Sequence, residues 1–369
     1  MLLGLNTTSA DMHIGIITYH RADNFGAVMQ AYALLYYLRA RQHDVEVIDY
    51  RCRMIEAQYH IFNPTILLLR KNVFLSLREY VSRYFTLRSR LQRRRKFEEF
   101  RKAYLLCCRT HKGQTTLMDY DAVITGSDQV WNFYLCRGSE QMYLLDVPLP
   151  AHTKRIAYAA SSEMNGFNRL SGEYLRHCFA NFNKISVRED FLANKIEALT
   201  GRSVSVCLDP TFLLDGDAYR RIATHPKSGH YILVFHMTDM SAYIPFIQDI
   251  ARKKHLQVME VYGGFHPASA DDKKSDWGPL EMLGYINDAD MVFTTSFHVL
   301  ALSLILRKEV WVMDKGENQR QRNLLQMAGL THRMLKSISD YDDSAIDYNS
   351  VEQELSPNVE QSKAFLNTI

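Results

Sequence analysis

Apolar and polar positions alternate along this chain with two different periods, and the switches between them mark a repeated unit. Ile14, Ile16 and Ile17 make residues 13–18 a short apolar run. Residues 19–27 are polar and hold Gly26. Residues 28–38, rich in Ala and Leu, place apolar side chains at helical spacing, and residues 45–50 turn apolar again. This predicts strand, loop, helix, strand. The same order recurs near the far end. Met291, Val292 and Phe293 read as a strand and Thr294 to His298 as a turn; residues 299–306 read as a helix and 310–313 as the next strand.

Between these units lie further apolar runs at 121–126, 155–160, 184–189 and 204–208, each ending in polar or charged residues. A second series follows: a strand at 231–236, a helix around 242–254, a strand at 257–262, a loop with Gly263 and Gly264, and a helix over 277–286. Short apolar runs separated by helices predict an α/β chain with parallel sheets. Pro210 ends the last strand of the first series. The expectation is two Rossmann-like domains, 12–215 and 216–345, and a tail over 346–369 with a helix at 359–366.

Open α/β sheets place ligands at the carboxyl ends of their strands, so the polar residues there are the candidates. Ser296 and His298 sit where a helix N-terminus offers N–H groups to an anion. His20, Asn24 and Gly26 occupy the first loop, and Gly126, Ser127 and Asp128 follow the 121–126 run. Arg188 precedes Glu189 after the 184–187 run. Each has a plainer counterpart: a helix cap beside a hydrogen-bonded core His, a polar loop, or a surface ion pair. Trp131 reads as core rather than as a sugar platform.

Composition narrows the classes. A 47% hydrophobic share over 369 residues suffices for two cores, and a net charge of +3 carries no whole-chain nucleic-acid signature. Cys52, Cys107, Cys108, Cys136, Cys178 and Cys207 show no metal spacing, and no metal ligand set is expected. Scattered cysteines, no leader-like start and no apolar run of membrane-spanning length lead to the expectation of a cytoplasmic protein. Residues 63–109 form a basic helical insertion, densest from Arg88 to Lys96. Two readings stand: a solvated helical hairpin, or a basic face that meets the inner membrane surface or a lipid-linked diphosphate.

Taken in order, several segments resemble the polysaccharide pyruvyl transferase family. They are residues 14–18, 24–27 and 30–34; Asp121 to Asn132; Tyr158 to Ser161; Ser186 to Glu189; Leu208 to Thr211; Thr295 to His298; and Arg320 to Leu330. The resemblance implies a GT-B-like arrangement of the two domains around an interdomain cleft, with the terminal helix packed back on the first. It also implies transfer of a pyruvyl group from phosphoenolpyruvate to two hydroxyls of a sugar or lipid-linked glycan precursor, forming a ketal. Phosphoenolpyruvate is then a donor substrate, and no cofactor is required.

One position departs from the pattern. The family resembles Arg-Leu-His where this chain has Ser296, Phe297 and His298. The missing guanidinium fork then has to come from Arg188, His20, Arg320 or Arg322. On this reading His298 is the general acid or a phosphate ligand. Arg188, Ser296, Arg320 and Arg322 face the donor; Asp128, or Glu163, is the base. His20, Asn24, Gly26, Gly126 and Ser127 face the acceptor or cleft. Two other classes stay open: a nucleotide-sugar glycosyltransferase with the Gly263-Gly264 loop near its phosphates, and a non-catalytic glycan-assembly protein.

Overall fold

The computed structural model describes residues 12–59, 87–105, 117, 119–225, 229–263, 275–314, 316 and 319–369. Among the described residues, eleven strands form two parallel sheets. The first holds β1 (His13–Ile17), β2 (Asp44–Val47), β3 (Ala122–Thr125), β4 (Lys154–Ala160), β5 (Lys184–Val187) and β6 (Ser205–Val206), in the order β2-β1-β3-β4-β5-β6. The second holds β7 (Tyr231–His236), β8 (Gln257–Tyr262), β9 (Met291–Thr294), β10 (Glu309–Met313) and β11 (Met334–Leu335), in the order β11-β10-β9-β7-β8. β3 and β7 are buried along their whole length. That is what helices on both faces of a parallel sheet require, and it explains why these strands read as unbroken apolar runs.

Each sheet has one point where its strand order reverses. In the first it lies between β1 and β3, where Ile14 pairs with Ala122. In the second it lies between β7 and β9, where Ile232 pairs with Met291. Chain connections leave such a point in opposite directions and open a crevice beyond the strand ends.

The helix Phe25–Arg39 is buried on nearly every side. A helix apolar all round has to be enclosed, and this one is. Phe25 meets Trp277 of the second half edge-on at 6.3 Å, while Tyr32 meets Phe100 at 6.2 Å. Trp131 is fully buried against Phe179, 5.0 Å between ring centres, and its indole N–H donates to the Tyr143 carbonyl at 3.1 Å. It is core.

Within the basic region the described part is a helix over Leu87–Phe100, continued by Arg101–Leu105. It buries Arg90, Arg93, Phe97, Phe100 and Arg101 along one stripe. Arg93 donates to the carbonyls of Tyr262 (3.2 Å) and Asp23 (3.1 Å) and lies 4.0 Å from the Trp277 ring centre. Arg101 pairs with Asp23 at 2.9 Å, and Lys96 with Glu281 at 2.7 Å. Neither sequence reading of this stretch foresaw that Arg93 and Lys96 would join the two halves. Residues 63–86 and 106–109 of the insertion lie outside the described residues.

The last helix, Tyr348–Asn367, is longer than expected and continues through Pro357. It returns to the first half, where Ser362 Oγ accepts from the Leu208 N–H at 2.9 Å and Asn367 accepts from Arg41 at 2.8 Å. Among the described residues no helix is long and apolar enough to cross a membrane.

Candidate functional site

Both crevices open on one cavity of about 320 Å3. The first sheet contributes Tyr19, Asn24 and Ala27 from the end of β1 and Asp128 and Gln129 from the end of β3. The second contributes Met237 and Thr238 beyond β7, and Thr295, Ser296, Phe297 and His298 beyond β9. Arg320 and Gln321 close the wall. A groove of about 490 Å3 beside the last helix is larger. Its charges are paired among themselves, however, Arg307 with Glu352 at 2.7 Å and Lys363 with Glu360 at 2.9 Å, so it offers no comparable convergent chemistry.

Behind His298, in a small recess beside the cavity, a buried carboxylate joins the halves. Asp209 follows β6, and its Oδ1 accepts from the Thr211 N–H (2.9 Å) and hydroxyl (2.8 Å). Oδ2 lies 2.7 Å from Arg188 Nη2 and 3.3 Å from His298 Nε2. Burial alone would raise its pKa. The Arg188 guanidinium and His298 outweigh burial and hold the carboxyl well below the usual carboxylate range.

Arg188 is held from the other side by Ser127, whose Oγ accepts from Nε at 2.8 Å. Ser127 Oγ in turn donates to the Ala159 carbonyl (2.7 Å). The Ser127 N–H donates to Gln30 Oε1 (3.2 Å), and its carbonyl accepts from Thr18 Oγ (3.0 Å). Ser127 and Gly126 are therefore buried scaffold that fixes Arg188. Gly126 has a φ of 110°, a region that favours glycine. Arg188 Nη1 has no hydrogen-bond partner among the described residues.

His298 is in the first turn of the helix Phe297–Ile305, which Ser296 caps through its Oγ and the Val299 N–H at 3.4 Å. Its ring packs against Gly26. A Cβ at that position would lie 1.9 Å from Nδ1. Gly26 is thus needed for close approach. Asn24 caps the helix Phe25–Arg39, accepting from the Ala27 N–H at 3.2 Å. Nε2 of His298 faces Asp209 Oδ2 at 3.3 Å, an ion-pair contact that falls outside hydrogen-bond geometry.

Arg320 stands on the helix Gln319–Met327, 6.0 Å from the Phe297 ring centre. The Gln129 amide, with its oxygen toward Arg320, accepts from Nη2 at 2.7 Å and Nη1 at 3.0 Å. Arg188 lies over the same ring at 5.5 Å. The two guanidiniums therefore flank Phe297, beside the position where the family pattern carries its own Arg.

The structure thus gathers His298, Arg188, Arg320, Ser296, Asp128, Asn24 and Gly26, and separates three others. His20 is fully buried, with Nε2 bonded to Asp49 Oδ1 at 2.9 Å, and does not line the cavity. Burial would raise the Asp49 pKa, but His20 and Arg21 draw it down. Arg322 is half exposed and pairs with Asp314 at 3.0 Å. Glu163 is exposed and lies off the cavity lining. Gly264 lies outside the described residues. The sequence reading passed over Asp209, Glu189, Gln30, Gln129 and Phe297. Asp209 carried the same signal as Arg188, a charge directly after an apolar strand, but the adjoining Pro210 made it read only as a terminator.

The sequence model of the polysaccharide pyruvyl transferase family matches residues 24–315. The chain belongs to the polysaccharide pyruvyl transferase family. It is accordingly a transferase, and membership implies a glycan acceptor. No curated protein matches the sequence. Among solved structures, one from Listeria monocytogenes described as a UDP-N-acetylglucosamine 2-epimerase is similar. The identity is 11%, the coverage 97% of this chain and 95% of that one, and the TM-score 0.50. A UDP-GlcNAc 2-epimerase from Neisseria meningitidis bound to UDP-GlcNAc shows 10% identity, coverage of 96% and 92%, and a TM-score of 0.45. Likeness at such identity concerns the fold alone: two parallel-sheet domains in a GT-B-like arrangement about a cleft.

Proposed function

We propose that the protein transfers the pyruvyl group of phosphoenolpyruvate to two hydroxyls of a sugar in a surface-glycan precursor, forming a ketal and releasing phosphate. The observation that carries this reading, in a chain of this family, is that Arg188 and His298 meet at Asp209 while Arg320 lines both the recess beside Arg188 and the cavity beside His298. The two guanidiniums hold the donor's carboxylate and phosphate, and Arg320 supplies the charge that Ser296 lacks.

The reaction needs a proton on the donor's methylene carbon, which makes the adjacent carbon electrophilic. His298, held beside Asp209 and lining the cavity, carries this proton. The first sugar hydroxyl then adds, and its proton returns to the ring. The second hydroxyl displaces phosphate. Asp128, on the opposite wall, orients the acceptor hydroxyls and the Asn24 loop borders them.

Thermal unfolding with phosphoenolpyruvate, inorganic phosphate or UDP tests donor choice, because a ligand of the native state raises stability by mass action. The expected result is a selective rise with phosphoenolpyruvate that disappears in His298→Ala. A rise with UDP alone would replace this reading with nucleotide-sugar transfer.

A further inference from the structure

We propose that Glu189 is a second catalytic proton carrier of this site, its Oε2 protonating the phosphate that departs when the ketal closes. The inference rests on the pyruvyl-transfer reading above.

Glu189 follows Arg188 directly and occupies the N-cap position of the helix Asp190–Thr200. A carboxylate there ordinarily folds back onto the helix N–H groups. This one makes no such bond. Its Oε1 instead accepts from Ser161 Oγ at 2.5 Å, while Oε2 is buried outside hydrogen-bond geometry among the described residues, although the Ser162 backbone N–H also draws on the carboxylate. The residue is 2% exposed. A carboxylate oxygen at that depth without a full hydrogen bond is costly and calls for an explanation beyond the helix cap.

The side chain lines a recess of about 30 Å3 together with Arg188, Asp209, Phe297 and Arg320. That volume admits a water molecule or one oxygen-bearing edge of an anion. Phe297 and Arg320 line both the recess and the 320 Å3 cavity. An anion in the cavity meets Arg320 there, and an edge of it that enters the recess meets Arg188 and Glu189. Burial pushes the Glu189 carboxyl up, against the opposing pull of the Ser161 hydrogen bond, Arg188, Arg320 and the Ser162 backbone N–H. Burial thus favours the acid form, which can donate.

The atoms balance. In the closing step the second sugar hydroxyl forms a bond to the ketal carbon as the carbon–oxygen bond to phosphate breaks. Glu189 gives its Oε2 proton to the departing phosphate, and the hydroxyl proton returns to Glu189. With the first step run through His298, the two hydroxyl protons end on the methyl carbon and on phosphate.

The test is steady-state phosphate release by the full chain carrying Glu189→Gln, with phosphoenolpyruvate and the acceptor glycan that supports wild-type turnover. The expected kcat falls about 100-fold or more, with KM for phosphoenolpyruvate and the donor-induced thermal shift retained. Mass spectrometry should detect a phosphate-bearing acceptor adduct. Glu189→Asp, which keeps the acid, should recover part of kcat and guards against a folding defect in the Gln variant. Wild-type kcat in Glu189→Gln would overturn the inference, because an amide can fill a structural role but cannot donate this proton reversibly. A loss confined to KM would overturn it as well. Wild-type protein that releases no phosphate with any glycan would overturn the transfer reading itself, a result separable from failure of Glu189 alone.

Discussion

Asp209 shows how much one buried side chain can decide. It is almost fully buried, yet it serves an Arg of its own sheet and a His from the other. Replacing it with Asn leaves Arg188 as an under-compensated charge, and breaking a buried pair in this way costs about 3–5 kcal/mol. The pH dependence has a definite sign. The folded-state pKa of Asp209 lies below its unfolded value of about 3.9. Its stabilisation is therefore fully present above that value and is lost as pH falls toward the folded value. Urea unfolding of wild type and Asp209→Asn should show a large gap at pH 7 that narrows steadily below about pH 4. A gap of equal size at both ends would mean that the carboxylate charge is not what holds Arg188 and His298.

At the scale of elements, the helix Phe25–Arg39 sets two preferences against each other at Gly26. Within a helix, Gly→Ala ordinarily stabilises by about 1 kcal/mol. Here the added methyl would meet the His298 ring at 1.9–2.5 Å, so the imidazole has to move. Gly26→Ala is expected to keep a cooperative thermal transition while losing at least about 100-fold in kcat. Activity near wild type would show that His298 does not need its present position. The same helix shows what was legible in the sequence. Its existence and the strands on either side follow from period and composition, and so do the turns that carry His298 and Arg188. What the chain does not display is which polar turn residues face inward. His20 and Asn24 lie four positions apart in one loop, yet one binds Asp49 in the core and the other borders the cleft. Only the packing of the neighbouring strands separates them. Likewise the pairing of Asp209 with His298 joins positions from different sheets, which no local pattern encodes.

For the whole molecule, the decisive question is what fixes the two halves relative to each other, because the cavity draws its walls from both. The helix Leu87–Phe100 bridges them. Arg93 ties the carbonyl of Asp23 in the first half to that of Tyr262 in the second and stacks on Trp277. Lys96 adds the bond to Glu281. Burial lowers the Arg93 pKa to about 10, which still leaves it charged at neutral pH. Its contacts combine hydrogen bonds from a charged donor, worth about 1.5–3 kcal/mol each where desolvated, with a cation–π contact worth roughly 1–2 kcal/mol. Arg93→Met keeps much of the apolar stem and removes both. None of these groups lies among Arg188, Asp209 and His298, so local chemistry should survive while the domain geometry loosens. The expected signature is a larger radius of gyration in small-angle scattering, a smaller thermal shift with donor, and a kcat/KM loss that a saturating substrate concentration partly restores. Unchanged scattering with unchanged kinetics would show that the contacts between the helix Phe25–Arg39 and the second half suffice to hold the cleft, and that the basic bridge is dispensable to it.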